Sequence, residues 1–399
     1  MSGQDSLSIA STTPRILVVD DNDDNRYTLM LYLDLEGYTD IAIAHDGEEA
    51  IARLSEDRFD LVLLDVMMPK IDGYGVLTWL KGQQRLNGLP VIMISALDEI
   101  ASVVRCIELG AVDYLAKPFN PVLLRARLGA SLEKKRLQDE IRAHLTRLEE
   151  ELEAARRLQM SMLPDAFPPP SSERPAEIFA MMEPARQVGG DLYDFFYIDA
   201  ARLCFLIGDV SGKGMPAALF MARTKSLIRI VTEFAEAACG GTADAAGIIG
   251  RVNRELCQNN SDMMFVTMFF GLLDTRTGAL AFCNAGHNPP YRLKKDAVTA
   301  LDGARGLILG VAPDAVYETG HVALDPGDTL YVFTDGVTEA ENAAFEQFAE
   351  DRLEAVLRAA SGLPSADLVK SVSAALSAFV GTAAASDDIT MLAVRVGAA

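Results

Sequence analysis

The sequence predicts two folded domains of different class joined by a helix. The first is an α/β domain with a doubly wound, five-stranded parallel sheet. The second is an α+β domain built as a β-sandwich flanked by helices. From residue 15 to about 119, short apolar runs alternate with amphipathic stretches, the pattern of parallel strands covered by helices on both faces. Residues 123–163 then hold no proline and one glycine among strong helix formers, and LPDAFPPPSSERP at 163–175 breaks that run. Beyond the break, strand-like runs are interrupted by paired helical stretches, as a layered sandwich requires. At 399 residues the chain is also longer than one compact core usually holds.

Residues 1–14, MSGQDSLSIASTTP, have neither the basic flank nor the apolar core of a targeting segment and are expected to be disordered. The first domain, 15–125, takes its strands from ILVV, IAIA, LVLL, VIMI and YLA. The linker, 126–163, places Ile141, Leu145, Leu148, Leu152 and Ala155 alternately four and three residues apart. That is an a/d seam and predicts a coiled coil that pairs two copies in parallel; a single solvated helix packed on its own domains is the alternative. The second domain, 164–399, takes strands from RLCFLI, MFFGLL, TLYVFT and ITMLAV, with helices at about 215–231 and 243–258 and two more within 345–378. No internal repeat is visible.

Composition excludes several functions. A formal charge of -21 repels nucleic-acid phosphates and anionic membrane surfaces. Neither nucleic acid nor membrane is an expected partner. Five scattered cysteines without CxxC spacing suggest neither disulfides nor zinc, and no apolar run is long enough to span a bilayer. A cytoplasmic protein is expected.

In the first domain, Asp20 and Asp21 follow the first strand, Asp65 the third, Ser95 the fourth and Lys117 the fifth. Parallel topology brings all of them to one carboxyl edge. Crowded carboxylates repel unless a cation sits among them, and oxygen ligands without His or Cys favour Mg²⁺. Such a pocket suits a phosphoryl group whose oxygens meet metal and lysine while a carboxylate, Asp65, attacks phosphorus. VVDDN, LLDVMMPKIDGYG, ISA and YLAKPF together resemble the receiver domain of two-component response regulators, over about 15–125. The resemblance implies a flavodoxin-like fold, Asp65 as phosphoacceptor, and Mg²⁺ on Asp20, Asp21, Asp65 and the Met67 carbonyl. It further implies Ser95 and Lys117 as phosphoryl-binding residues, Tyr114 as the aromatic that moves with Ser95, and a cis peptide before Pro118.

In the second domain, IGDVSGKGM at 207–215 invites comparison with a phosphate-binding P-loop. It fails: the first glycine is one place late, and Gly214 stands where Ser or Thr should reach Mg²⁺. What recurs is aspartate near strand ends: Asp191, Asp209, Asp335 and the pair Asp387-Asp388. Turn aspartates would explain any one of these. As a set without His or Cys neighbours, they fit two hard divalent cations, Mg²⁺ or Mn²⁺, arranged for in-line attack on a phosphate ester. VGGDLYDF, GDVSGKGMPAAL, NAGHNPP, FTDGVTEA and DDIT resemble the SpoIIE-like branch of the PPM metal-dependent serine/threonine phosphatases, over about 165–396. AARRLQMSMLP resembles the helix that precedes such domains. The resemblance assigns Asp191, Asp209, Asp335 and Asp387 as catalytic metal-site acids, prefers Asp387 to Asp388, and adds the Val210 carbonyl, with Asp209 bridging two metals. Arg186 occupies a place where some relatives hold the substrate phosphate, a surface arginine being the alternative. His287 is read as a turn histidine rather than a proton donor, and Lys213 as merely solvated.

The resulting expectation is a response regulator. A sensor histidine kinase phosphorylates Asp65, and the second domain then hydrolyses phosphoserine or phosphothreonine on a partner protein, which the resemblance suggests is an anti-sigma-factor antagonist. Phosphorylation would act through the 121–163 helix on the 215–231 helix. A catalytically silent partner-binding scaffold and a DNA-binding regulator are the competing readings.

Overall fold

The computed structural model describes residues 13–96, 100–172, 174–185, 188–238, 244–295 and 297–397. The expected disorder of residues 1–14 therefore falls, up to residue 12, outside the described residues. The chain forms two compact units, 1–148 and 149–399.

The first unit contains β1 (Ile16–Val19), α1 (Asp23–Leu35), β2 (Ile41–Ala44), α2 (Gly47–Glu56), β3 (Leu61–Asp65), α3 (Gly73–Gly82), β4 (Val91–Ser95), α4 (Ile100–Leu109) and β5 (Asp113–Ala116). The sheet runs β2-β1-β3-β4-β5, all parallel, as expected. Strand residues alternate between two cores, Leu17, Val19, Val62 and Leu64 on one face and Ile16, Val18, Leu61 and Leu63 on the other. Burial on both faces is why these strands read as unbroken apolar runs. The order reverses between β1 and β3, which opens a crevice at their carboxyl ends. Asn22, Asp46 and Asp72 cap α1, α2 and α3 by accepting backbone N–H groups of the first turn.

A 42-residue helix, α5 (Pro121–Met162), follows. Asn120 caps it by accepting the N–H groups of Val122 and Leu123. Leu124 and Leu128 join the first unit's core. Of the seam, Ile141, Leu145 and Leu148 are more than half exposed, while Leu152 and Ala155 are half-buried.

The second unit contains β6 (Glu177–Glu183), β7 (Leu192–Tyr197), β8 (Arg202–Val210), α6 (Met215–Ala238), α7 (Ala245–Cys257), β9 (Val266–Asp274), β10 (Ala279–Ala285), β11 (Tyr291–Lys294), β12 (Ala297–Ala300), β13 (Arg305–Gly306), β14 (Gly320–Ala323), β15 (Thr329–Phe333), α8 (Ala349–Ala359), α9 (Ser365–Val380) and β16 (Ile389–Arg395). One sheet runs β13-β10-β9-β8-β7 with β14 also on β10, and the other β12-β11-β15-β16-β6. Ile178, Phe205, Ile207, Phe269, Val332 and Leu392 fill the layer between them. Helices α6 and α7 cover the outer face of the first sheet through Ile228, Ile249 and Val252, and α8 and α9 cover the second through Leu353, Leu357 and Val369. The expected sandwich flanked by helices is thus a four-layer structure. Along β8, Leu203, Phe205 and Ile207 face the interlayer core while Cys204 and Leu206 lie under the helices. Asp209 continues the interlayer register and emerges at the end of the sandwich. Four described cysteines, Cys106, Cys204, Cys257 and Cys283, are free thiols. No helix among the described residues is long and apolar enough to cross a membrane.

Candidate functional site

Two separate carboxylate clusters stand out. In the first unit, the acids are delivered by strand ends: Asp20 directly after β1, Asp65 as the last residue of β3. Ligand atoms of Asp20, Asp21 and Asp65 lie within 4.8 Å of one another. Lys117, just after β5, sets its Nζ 2.8 Å from Asp20 Oδ2 and 3.0 Å from Asp65 Oδ1. Asn22 N–H and Asn25 Nδ2 both donate to Asp20 Oδ1 at 3.0 Å, and the Arg26 guanidinium donates to the Asp20 carbonyl. Burial, then the charge of Asp20, lifts the Asp65 carboxyl to about 6, with Lys117 opposing the rise. Ser95 is fully buried at the end of β4, and the Tyr114 hydroxyl donates to its carbonyl at 3.4 Å. The Met67 side chain is exposed, and Lys117-Pro118 is cis. Three crowded oxygen donors beside one ammonium fit a single hard cation such as Mg²⁺.

In the second unit, the start of β7, the end of β8, the end of β15 and the start of β16 meet at one end of the sandwich. Asp191 is buried, and the hydroxyls of Thr334 and Thr390 donate to its Oδ2 at 2.8 and 2.5 Å. Burial first, and Asp209 second, hold its carboxyl well above the ordinary range. Asp209 is lifted to about 7 by burial and then by the charges of Asp335 and Asp387. Asp335 is raised by burial and by Asp387, and Lys213 opposes it. Among the described residues, no three of these acids crowd their ligand atoms as tightly as the first unit's trio does. Carboxylates that raise one another's pKa across such spacing fit divalent cations with oxygen ligands.

The Asp387-Asp388 pair divides its work. Asp388 is buried, and its oxygens accept the backbone N–H groups of Ala185 at 2.8 Å and Gly190 at 2.9 Å. Asp387 is more open and meets Lys213, whose Nζ lies 3.0 Å from Oδ2 and donates to the Ser386 carbonyl at 2.7 Å. The reading of Lys213 as merely solvated is therefore corrected: a cation beside crowded acids finds a carboxylate before it finds bulk water. Gly212 and Gly214 have φ of 83° and 79°, a left-handed pair of turns that only glycine adopts without strain.

His287 is 6% exposed, with Nδ1 2.9 Å from Thr267 Oγ1. Asn284 accepts its N–H and donates to its carbonyl. Burial pushes its imidazole down to about 4, so it is a neutral residue that closes a turn. Arg186 lies outside the described residues.

The family model described as Stage II sporulation protein E (SpoIIE) matches residues 199–397, and that of the response regulator receiver domain matches 16–129. The chain joins a receiver domain to a SpoIIE-family domain. The SpoIIE match takes in Asp209, Asp335 and Asp387 and begins after Asp191. Protein IcfG of Synechocystis sp. is 31% identical over 278 residues, covering 65% of this chain and 43% of its own length. Phosphoserine phosphatase RsbU of Bacillus subtilis is 32% identical over 203 residues, covering 50% of this chain and 57% of its own. The chain spans about half the length of the curated relatives it matches. The solved SiaA-PP2C domain of Pseudomonas aeruginosa superimposes with a TM-score of 0.54 at 27% identity, covering 63% of this chain and 98% of that domain.

Three features of the SpoIIE-family domain were not anticipated from sequence. Thr334 and Thr390 anchor Asp191. Asp194, fully buried on β7, is paired with Lys225 at 3.0 Å and Arg229 at 2.6 Å, both from α6. Gln159, near the end of α5, is hydrogen-bonded to both backbone groups of Gly189. The i,i+4 spacing of Lys225 and Arg229 was the one legible signal, since it puts two cations on one helix face.

Proposed function

We propose that the SpoIIE-family domain hydrolyses phosphoserine or phosphothreonine on a partner protein and that the receiver domain controls it through phosphorylation of Asp65. The observation that supports the hydrolase most is the gathering of Asp191, Asp209, Asp335 and Asp387, where burial first and then the charges of Asp335 and Asp387 lift Asp209 to about 7. In this reading Asp209, Asp191, Asp335, Asp387 and the Val210 carbonyl would hold Mg²⁺ or Mn²⁺ ions, with Asp209 as the central acid of the set. Bound there, the ions supply positive charge and an activated water for direct in-line attack on the phosphate ester. Asp191 is held by Thr334 and Thr390, so the buried side of the centre is fixed, while Asp335 and Asp387 face the open side from which a phosphorylated side chain would enter. Arg186 is carried as a contact for the substrate phosphate.

On the receiver, Asp65 is the nucleophile toward the phosphoryl group of a sensor histidine kinase, with Mg²⁺ on Asp20, Asp21, Asp65 and the Met67 carbonyl. Lys117 already lies 3.0 Å from Asp65 and neutralises added oxygen charge, and Ser95 with Tyr114 forms the switch. Signal passes through α5, by a change of dimer pairing or helix phase that moves α6. The partner is expected to be an anti-sigma-factor antagonist, in a cytoplasmic setting, with no nucleic acid and no membrane involved; the RsbU likeness supports the phosphoserine specificity.

The test is Mn²⁺-dependent hydrolysis of a phosphoserine peptide by wild type and by Asp209→Asn. Turnover that survives Asp209→Asn would sink the assignment of the centre, and absence of turnover in wild type would favour a silent scaffold. Equal rates with and without a phosphoryl mimic, and in Asp65→Ala, would remove the receiver's control.

A further inference from the structure

Gln159 is 4% exposed and lies one turn before the end of α5. Its amide clasps the backbone of Gly189: Nε2 donates to the carbonyl at 2.6 Å, and the Gly189 N–H donates to Oε1 at 3.1 Å. A carboxamide matches a peptide group in this way because it carries one donor face and one acceptor face. Gly189 is wedged on its other side, where a Cβ would stand 2.0 Å from Asp388 Oδ2. The same oxygen accepts the Gly190 N–H at 2.9 Å. A Cβ on Gly190 would stand 2.6 Å from the Val210 carbonyl oxygen, and the residue after Gly190 is Asp191. A short chain of contacts therefore leads from a side chain on the helix to Asp388, to the Val210 carbonyl and to Asp191.

We infer that Gln159 is a positioning residue for the metal centre, which it serves by holding the Gly189-Gly190 turn against Asp388 and the Val210 carbonyl. The inference rests on the proposed metal site. Asp191 directly follows the Gly189-Gly190 turn, and these two residues have no side chains to pack and hold it. The clasp from α5 supplies that hold. Without it, a buried N–H and C=O lose their partners, and the turn relaxes to regain them, taking Asp191 out of register. The nearby anchor Leu163 differs in kind: it is buried in the interlayer core and has no part in the chain of contacts.

The experiment titrates Mn²⁺ calorimetrically into the full chain carrying Asp20→Asn, Asp21→Asn and Asp65→Asn, which removes the receiver's three clustered acids. Gln159→Met, close in volume, deletes both hydrogen bonds. Its expected result is Mn²⁺ affinity weaker by about tenfold, the scale of one lost buried hydrogen-bonded contact, whereas Leu163→Ala melts lower in EDTA but keeps the parent's Mn²⁺ affinity. Gln159→Glu, which keeps volume and the acceptor for Gly189, carries the same expectation of weaker Mn²⁺ and serves if Gln159→Met does not fold. A Gln159→Met protein that melts lower yet binds Mn²⁺ as the parent does would overturn the inference and leave the metal site standing. A parent that binds no Mn²⁺ would overturn both.

Discussion

Asp194→Ala tests how the SpoIIE-family domain holds α6. The carboxylate is fully buried, with Arg229 Nε on Oδ2 at 2.6 Å, an Arg229 terminal nitrogen on Oδ1 at 2.7 Å and Lys225 Nζ at 3.0 Å. The Arg229 guanidinium also lies 4.7 Å over the Phe196 ring. Removing the acid leaves two cations facing a site without counter-charge. Breaking a buried pair by deleting one partner costs about 3–5 kcal/mol. Lys225 is 12% exposed, but Arg229 is 38% exposed and can turn part of its charge toward water, so the lower end, about 3 kcal/mol, is expected. For a unit of this size a loss of 1 kcal/mol moves the melting temperature by about 2–4 °C, which gives a fall of roughly 6–12 °C. Differential scanning calorimetry in EDTA reads it. A double-mutant cycle with Arg229→Ala then isolates the pair. If Asp194→Ala falls by less than about 1 kcal/mol, or if the two single effects simply add, the buried clamp is not what fixes α6 to β7.

His287→Gln tests a buried neutral imidazole. The fold holds its pKa at about 4 against 6.5 for a free histidine, so the unfolded chain takes up the proton first. This contribution is whole above about pH 6.5 and is lost as pH falls toward 4, at about 1.4 kcal/mol per pH unit and about 3 kcal/mol in all. Urea midpoints of the variant should depend less on pH in that window, and an unchanged slope would mean that the folded state already binds the proton. In the receiver the sign is reversed, because Asp65 sits at about 6 against 3.8. The folded state binds the proton more tightly, so the burden is absent below about pH 4 and grows through pH 6 to at most about 3 kcal/mol. Asp65→Asn in Mg²⁺-free buffer should therefore raise the receiver's melting temperature at pH 7.5 and leave it unchanged near pH 4. Finally, Gly190→Ala presses a methyl group 2.6 Å from the Val210 carbonyl oxygen. An overpacking cost of about 1–3 kcal/mol should appear as roughly 5- to 150-fold weaker Mn²⁺ binding by calorimetry, and wild-type affinity would show that this carbonyl is not a ligand.

The receiver site was legible because its topology leaves nothing to chance. In a parallel sheet every strand delivers its last residue to the same edge, so Asp20, Asp65, Ser95 and Lys117, each at or just after a strand end, had to converge. The antiparallel sandwich offers no such rule, since strand starts and strand ends alternate along an edge. Asp191 and Asp387 come from starts, Asp209 and Asp335 from ends. Placement near strand ends marked these acids as a set, but not which oxygen of Asp388 fixes the turns. Partners lying far apart in sequence were out of reach: Thr390 and Asp191 are 199 residues apart, and Gln159 and Gly189 are 30 apart. Lys213 was misread for the same reason, its carboxylate being 174 residues away.

The two clusters also differ in how their charge is balanced, and the difference bears on how they would be used. In the receiver, Lys117 touches two of the three acids directly, and Asp65 rises only to about 6. A fixed ammonium offsets part of that cluster's charge without a metal. In the SpoIIE-family domain, Lys213 meets the cluster at its rim, on Asp387, while burial and the charge of Asp209 raise the deeper Asp191, and burial with the charges of Asp335 and Asp387 raises Asp209. Their repulsion must be met either by protons or by divalent ions. On the reading proposed above, such a centre would load metal only when its backbone is held in place, and the groups that hold it are Thr334, Thr390, Asp388 and the amide of Gln159. Of these, the amide alone comes from the helix that begins in the receiver's core, so the balance of charge at the metal centre depends on a contact that the helix supplies.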